Sequence, residues 1–316
     1  MKTISKILSL ILILSFTTSC SDDEETVVKT NTIVDVAIEN NLTSLVAAVT
    51  RANLASTLSA DGNMTVLAPT NEAFSAFLQA NNFNSVNDVP VELLREVLLN
   101  HVITGTVRST DLTTGYANTN ATSAASGTPM SIHINTNGGV TFNGVSKVAV
   151  ADVPADNGIV HVVDAVIGLP TVVTFATADP NFSILVSALT RESDFTYVST
   201  LSTANGTAPA PFTAFDPTNN AFVSLLGELQ VSALGDIDKA TLSSTLNTHV
   251  VAGANVLESN LSDNLAVTTL GGNLTVNITS NGATLTDSKD RVSNIVATDV
   301  QANNGVIHAI SKVVLE

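Results

Sequence analysis

The chain has 316 residues, 44% of them hydrophobic and only 13% charged, which excludes a disordered polymer and gives length enough for two domains with cores of their own. Twelve basic against 28 acidic residues give a formal net charge of −16, and with no basic patch in view this excludes nucleic acid and anionic lipid surfaces as partners. A lone cysteine, Cys20, excludes an intramolecular disulfide, so packing must hold the fold. With no Trp and only Tyr116 and Tyr197, few rings are left to stack on a sugar, which counts against a deep carbohydrate-processing groove.

The first thirty residues read as an address. Two lysines precede the apolar run Ile7 to Phe16, which is followed by Thr17, Thr18 and Ser19 and then Cys20. This is the order of a secretory signal, and the run is short of the roughly 20 residues that a spanning helix needs. Its ending on Cys20 resembles a bacterial lipoprotein signal, in which the cysteine becomes the lipidated N-terminus. Thr17 stands where that signal prefers Leu, as in the looser forms of Bacteroidetes-like lipoproteins. The acidic run Ser21 to Glu25 has nothing to bury and is expected to be a solvated tether over residues 21–30, and acidic residues directly after the cysteine resemble surface-export signals of the same group.

Beyond residue 30 the chain repeats itself. Leu42, Leu45, Val46 and Val49 have a helical period, which Phe182, Leu185, Val186 and Leu189 repeat. Thr65 to Phe74 predicts a strand, a Pro69-Thr70-Asn71 turn and a helix start with Thr70 as its N-cap. Thr213 to Phe222 repeats this through Pro217, Thr218 and Asn219. The added residues of the second copy are expected in the turn-rich stretch Thr203 to Pro211.

Further on, Leu94, Leu98 and His101 are spaced as one helix face, and Leu242, Leu246 and His249 match them. Alternation over Met130 to Ile134 before Asn137-Gly138, and over Leu274 to Ile278 before Asn281-Gly282, predicts hairpins, with His133 pointing away from the core. Each copy ends on a closing strand opened by Asn-Gly, with Gly158 and His161 in the first and Gly305 and His308 in the second.

The Pro-Thr-Asn helix starts, the His101 and His249 positions and the Asn-Gly-x-x-His closures recur in the same order, and together they resemble two tandem fasciclin (FAS1) domains over residues 31–170 and 171–316. The resemblance implies an α+β fold in which each domain is a wedge-like β-sandwich flanked by short helices. It also implies a non-enzymatic adhesion role. Two departures, Asp216 for the apolar residue before Pro217 and Thr248 for the Asn before His249, set the binding surfaces of the copies apart.

The catalytic alternatives are weaker. Each copy offers two such repeated histidines and no thiolate, short of the three or four ligands of a transition-metal site. There is no Gly-x-Ser-x-Gly elbow, no Gly-Lys-Ser/Thr phosphate loop and no EF-hand spacing. His101 and His249 are expected to stay neutral and bond to backbone or to the Pro-Thr-Asn turn. No cofactor, metal or catalytic residue is therefore expected. The expected partner is a matrix or cell-surface protein or polysaccharide, with membrane contact only through the lipid on Cys20 at the outer membrane. The polar loops Gly115 to Gly127 and Thr203 to Pro211 are the expected contact surfaces. A glycan-capture lipoprotein serving an outer-membrane uptake system is the alternative.

Overall fold

The computed structural model describes residues 31–316; Cys20, the expected signal and the acidic tether lie outside the described residues. In the first copy, helices α1 (Ile33–Glu39), α2 (Thr43–Arg51) and α3 (Ala55–Ser59) precede strand β1 (Met64–Pro69). Thr32 caps α1 by accepting the Asp35 N–H while the Asp35 carboxylate accepts the Thr32 N–H, so two orphan donors are satisfied at once. Helices α4 (Asn71–Ala80) and α5 (Val91–Leu99) follow, then β2 (Val102–Thr104), β3 (Gly115–Thr122), β4 (Pro129–Asn135), β5 (Thr141–Phe142), β6 (Ser146–Ala155) and β7 (Gly158–Val163).

The second copy repeats the order. It has α6 (Val172–Ala178), α7 (Ser183–Leu189), α8 (Tyr197–Leu201), β8 (Phe212–Pro217), α9 (Asn219–Glu228), α10 (Lys239–Asn247) and β9 (Val250–Ala252). Strands β10 (Leu265–Thr268), β11 (Asn273–Thr279), β12 (Gly282–Thr286), β13 (Val292–Ala302) and β14 (Gly305–Ile310) complete it. The connection from α8 to β8 spans residues 202–211 where the first domain uses residues 60–63, so this loop takes most of the added length.

Each domain is thus α+β, with a seven-strand mixed sheet and flanking helices, in the order β2-β1-β7-β6-β5-β4-β3 and its repeat. The closing strand β7 is inserted centrally, parallel to β1 and antiparallel to β6. Being covered on both faces, it is buried from Ile159 to Val163, and a near-continuous apolar run replaces alternation. The long β6 is bent by register shifts, with Asp152 at φ 60 holding the Ser109 N–H at 2.8 Å. Asp299, at φ 55 on β13, holds the Glu258 N–H at the same distance.

The parallel pair demands close backbone approach. A Cβ on Gly158 would lie 2.0 Å from the Met64 carbonyl oxygen, and one on Gly305 2.4 Å from that of Phe212. Gly158→Ala is expected to lower the stability of the first domain by about 3 kcal/mol, because β1 and β7 must separate to admit the methyl group. Denaturant unfolding checks this, and an unchanged midpoint would contradict it.

Two expectations are corrected, on the direction of His133 and on the helical placement of His101 and His249. His133 does not point away from the core: it is 1% exposed, since Met130 to Ile134 are all buried and the second domain covers the outer face of β4, with the Gln301 N–H on Ser131 Oγ at 2.9 Å. The expected hairpins form, β4 with β5 and β11 with β12, though the Asn-Gly pairs are not their two turn residues. Residues 136–140 join β4 to β5, and in the second domain Gly282 already pairs with Thr279, leaving Ser280 and Asn281 as the turn. His101 and His249 do not lie on helices: α5 ends at Leu99 and α10 at Asn247, so each histidine follows the helix C-terminus.

Candidate functional site

The repeated motif residues converge on the helix-to-sheet junction of each domain. Thr70 Oγ1 accepts the Ala73 N–H at 3.1 Å, and Thr218 Oγ1 accepts that of Ala221 at 3.4 Å. Pro69 and Pro217 end β1 and β8, pairing with Val163 and Ile310 of the closing strands. Asn71 is a clamp: its Oδ1 accepts the Ser44 N–H and its Nδ2 donates to the Asn41 carbonyl, both at 2.9 Å. Asn219 does the same with the Ile184 N–H and the Pro180 carbonyl. Each Asn therefore fixes the entry of one helix against the start of another.

The histidines join segments distant in sequence. His101 Nδ1–H donates to the Val97 carbonyl at 2.7 Å, an orphan acceptor of the last turn of α5, and Nε2 accepts the Ile167 N–H at 2.9 Å. His249 binds the Thr245 carbonyl and the Val314 N–H in the same way, at 2.7 and 3.2 Å. Burial pushes both imidazoles down to about 4, against the raising effect of the carbonyl bond. His161 Nε2–H donates to the Val107 carbonyl at 3.0 Å while Nδ1 accepts the Asp152 N–H at 3.2 Å, and His308 repeats this with Val256 and Asp299 at 2.8 and 3.5 Å. A ring nitrogen that accepts an amide N–H must be unprotonated, so all four rings are neutral braces.

These histidines bond backbone rather than the Pro-Thr-Asn turn. Among the described residues, no group of three or more His, Cys, Asp or Glu side chains is placed to hold a metal ion. No single described helix is long and apolar enough to cross a membrane.

The contact-loop expectation is corrected for the first of its two stretches. Residues 115–122 form β3 rather than a loop, and the segment after it is engaged by the second domain. Ser123 Oγ–H donates to the Ala302 carbonyl at 2.7 Å, the Ala124 N–H to Asn303 Oδ1 at 3.1 Å, and Asn205 Nδ2 to the Ala124 carbonyl at 2.8 Å. The two stretches expected to meet a ligand thus touch each other at Asn205 and Ala124, and the first is held further by Ala302 and Asn303 of the second domain. The rest of Thr203 to Pro211 stays largely exposed.

The junction holds a polar cluster that sequence reasoning missed. Tyr116 of β3 packs edge-on against His133, ring centroids 5.0 Å apart, and against Phe175 of α6 at 5.6 Å. Its hydroxyl donates to Asp179 Oδ2 at 3.0 Å, and His133 Nε2 lies 4.0 Å from the same oxygen. Burial, reinforced by the neighbouring carboxylates, raises the tyrosine well above its ordinary range, and burial lowers His133 against the pull of Asp179. Gln301, 2% exposed, donates to Ser123 Oγ at 3.0 Å and to the Gly305 carbonyl at 2.9 Å. One available signal was a lone Tyr beside a strand His in only one of the two copies.

Two repeats of helices and a seven-strand mixed sheet, braced by the same Thr, Asn and His contacts, define a tandem-domain scaffold. The chain belongs to the fasciclin family: the fasciclin domain matches residues 40–170 and 180–316. It is similar to transforming growth factor-beta-induced protein ig-h3 of Sus scrofa, 32% identical over 258 residues, which is 80% of this chain and 35% of that protein. Protein sll1483 of Synechocystis is 34% identical over 137 residues, 43% of this chain and 72% of that one. A solved FAS1 domain pair from the insect cell adhesion molecule fasciclin I has the same fold, with a TM-score of 0.50 and 20% identity over 88% of this chain and 95% of that chain.

Proposed function

We propose that this chain is a non-enzymatic binding and adhesion protein. It attaches to a matrix protein, a polysaccharide or another cell-surface ligand through its two fasciclin domains, and a lipid on Cys20 displays it at the outer membrane, facing outward. The observation that carries this reading is the state of the four repeated histidines: His101, His161, His249 and His308 each hold two backbone groups, so the side chains best suited to acid–base chemistry are spent on the scaffold.

Binding gains from the architecture. Two domains in one compact unit bring two weak sites to a surface together, and a lipid anchor bearing many copies multiplies the effect through effective concentration. The glycan-capture alternative loses support at the tyrosines. Tyr116 packs against His133 and Phe175 and Tyr197 against Phe195, ring centroids 5.0 to 5.6 Å apart, so neither ring is a free stacking platform.

Beads carrying many copies of residues 31–316 are expected to bind at least one class among matrix proteins, polysaccharides and cell surfaces, and to bind it better than the same chain in monovalent solution. Absence of binding to all three would remove the adhesion reading. Fatty-acid labelling tests the anchor, and a Cys20→Ala chain that stayed equally membrane-associated would remove that part.

A further inference from the structure

A cleft of about 660 Å³ opens between the two domains, within the size range of small-molecule sites and at a place where such sites concentrate. Helices α4 and α5, the turn before β6 and the interdomain connection wall one side, and α6 with residues 202–204 and 303–304 closes the other. The walls are mostly apolar. Phe77, Leu169 and the unusually exposed Leu93 and Val145, 36% and 62% accessible, present hydrocarbon to the opening. In a chain with so strong a net charge, such a concentration of accessible hydrocarbon in a concave site calls for a partner.

Charge and hydrogen bonding narrow the ligand. Among the described residues lining the cleft there is no Lys, Arg or His, and Asp164 is the single carboxylate, so an anion meets no counter-charge. Asn143, in the wall and 3% exposed, uses Oδ1 to accept the His133 N–H at 2.8 Å, while its side-chain N–H₂ has no partner. A buried donor without a partner costs about 1–3 kcal/mol, which a ligand acceptor would recover. Asn304 bonds the Val172 N–H and the Leu201 and Thr203 carbonyls, Asn81 Nδ2 bonds the Phe77 carbonyl, and Asn303 Oδ1 accepts the Ala124 N–H, so Asn143 is the buried amide of the wall whose donor is left over.

We propose that the cleft between the two domains is a binding site for a neutral, largely apolar small molecule that presents a hydrogen-bond acceptor, such as a carbonyl or ether oxygen, to the Asn143 amide. This site is independent of the adhesive contacts, and a bound molecule would bridge the two domains.

The test is a titration of the full chain with Nile red, a neutral apolar dye carrying a carbonyl acceptor, followed by its blue-shifted emission. One saturable site is expected. Ala76→Trp, which fills the cleft from an exposed position on α4, is expected to weaken binding about tenfold or more, with melting unchanged. Asn143→Asp keeps the acceptor for His133 and removes the donor, and is expected to cost about fivefold. Val223→Trp, on an exposed part of α9 outside the cleft, is expected to leave affinity unchanged. Non-saturable uptake, full affinity in Ala76→Trp, or equally tight binding of the anionic dye anilinonaphthalene sulfonate at the same site would overturn the proposal.

Discussion

Asp216→Ala is expected to raise the stability of the second domain by about 4 kcal/mol at pH 8 and by about 2 kcal/mol at pH 5. Asp216 sits on β8 where the first domain places Ala68 on β1, one residue before the proline. It is 7% exposed, and no hydrogen bond to its carboxylate is made by the described residues. It lines a cavity of about 20 Å³, room for about one water, whose walls include Val172, Leu185, Leu246 and His249.

The packing around it differs between the copies. In the first domain Ala68 belongs to one continuous core running from Ile33 to Val162. In the second, Phe182, Leu185, Leu242 and Leu246 form one cluster and Val172, Phe175, Phe212 and Ile307 another, with the carboxyl between them. Burial, followed by the negative charge of Asp179, pushes Asp216 up from 3.8 to about 7. Between these values the folded protein retains a proton that the unfolded chain has released. The favourable contribution is complete below about 4 and is lost as pH rises through about 7. Because His101 and His249 titrate in the acid range too, the difference between variant and wild type isolates Asp216, and a difference independent of pH would contradict this assignment.

His101→Ala is expected to lower the stability of the first domain by about 4 kcal/mol, combining a cavity with an Ile167 N–H left unpaired in the interior. The imidazole is 2% exposed and joins the end of α5 to the interdomain connection, so few groups stand near to replace it. With His101 and His249 both at about 4 in the folded protein against 6.5 otherwise, the unfolded chain takes up protons that the folded chain refuses. Their contribution is present above about 6.5 and falls away toward pH 4, by about 3 kcal/mol for each ring. Urea unfolding across that range is expected to show a flatter acid limb for the first domain in His101→Ala. An unaltered midpoint, with an equal acid limb, would show that the ring is not a brace.

Local chemistry was legible where it repeats. The Thr70 and Thr218 caps depend on residues three apart, and the parts of the braces lie in the same order in each copy. The histidine spacing pointed to burial, though the helices stop short of His101 and His249 because each ring itself caps the last turn. What could not be read depends on contacts far apart in sequence. His133 and Tyr116 lie on strands whose alternation argues for one wet face, and only the arrival of β13 and α6 buries it. Asn157 shows the same limit within one domain: its amide bonds the Ile33 N–H and the Leu58 and Ala60 carbonyls, tying α1 and α3 to the sheet, where the sequence indicated only a turn. The polar stretches 115–127 and 203–211 have loop composition, which does not distinguish contact with a ligand from contact with a neighbouring domain.

The adhesion account is tested most directly by attachment of intact cells to surfaces coated with matrix protein or polysaccharide, comparing cells that carry the natural chain with cells that carry Cys20→Ala at equal abundance. Greater attachment by the former, abolished by soluble residues 31–316 as competitor, is the expected result. Equal attachment by both, unaffected by competitor, would contradict the account.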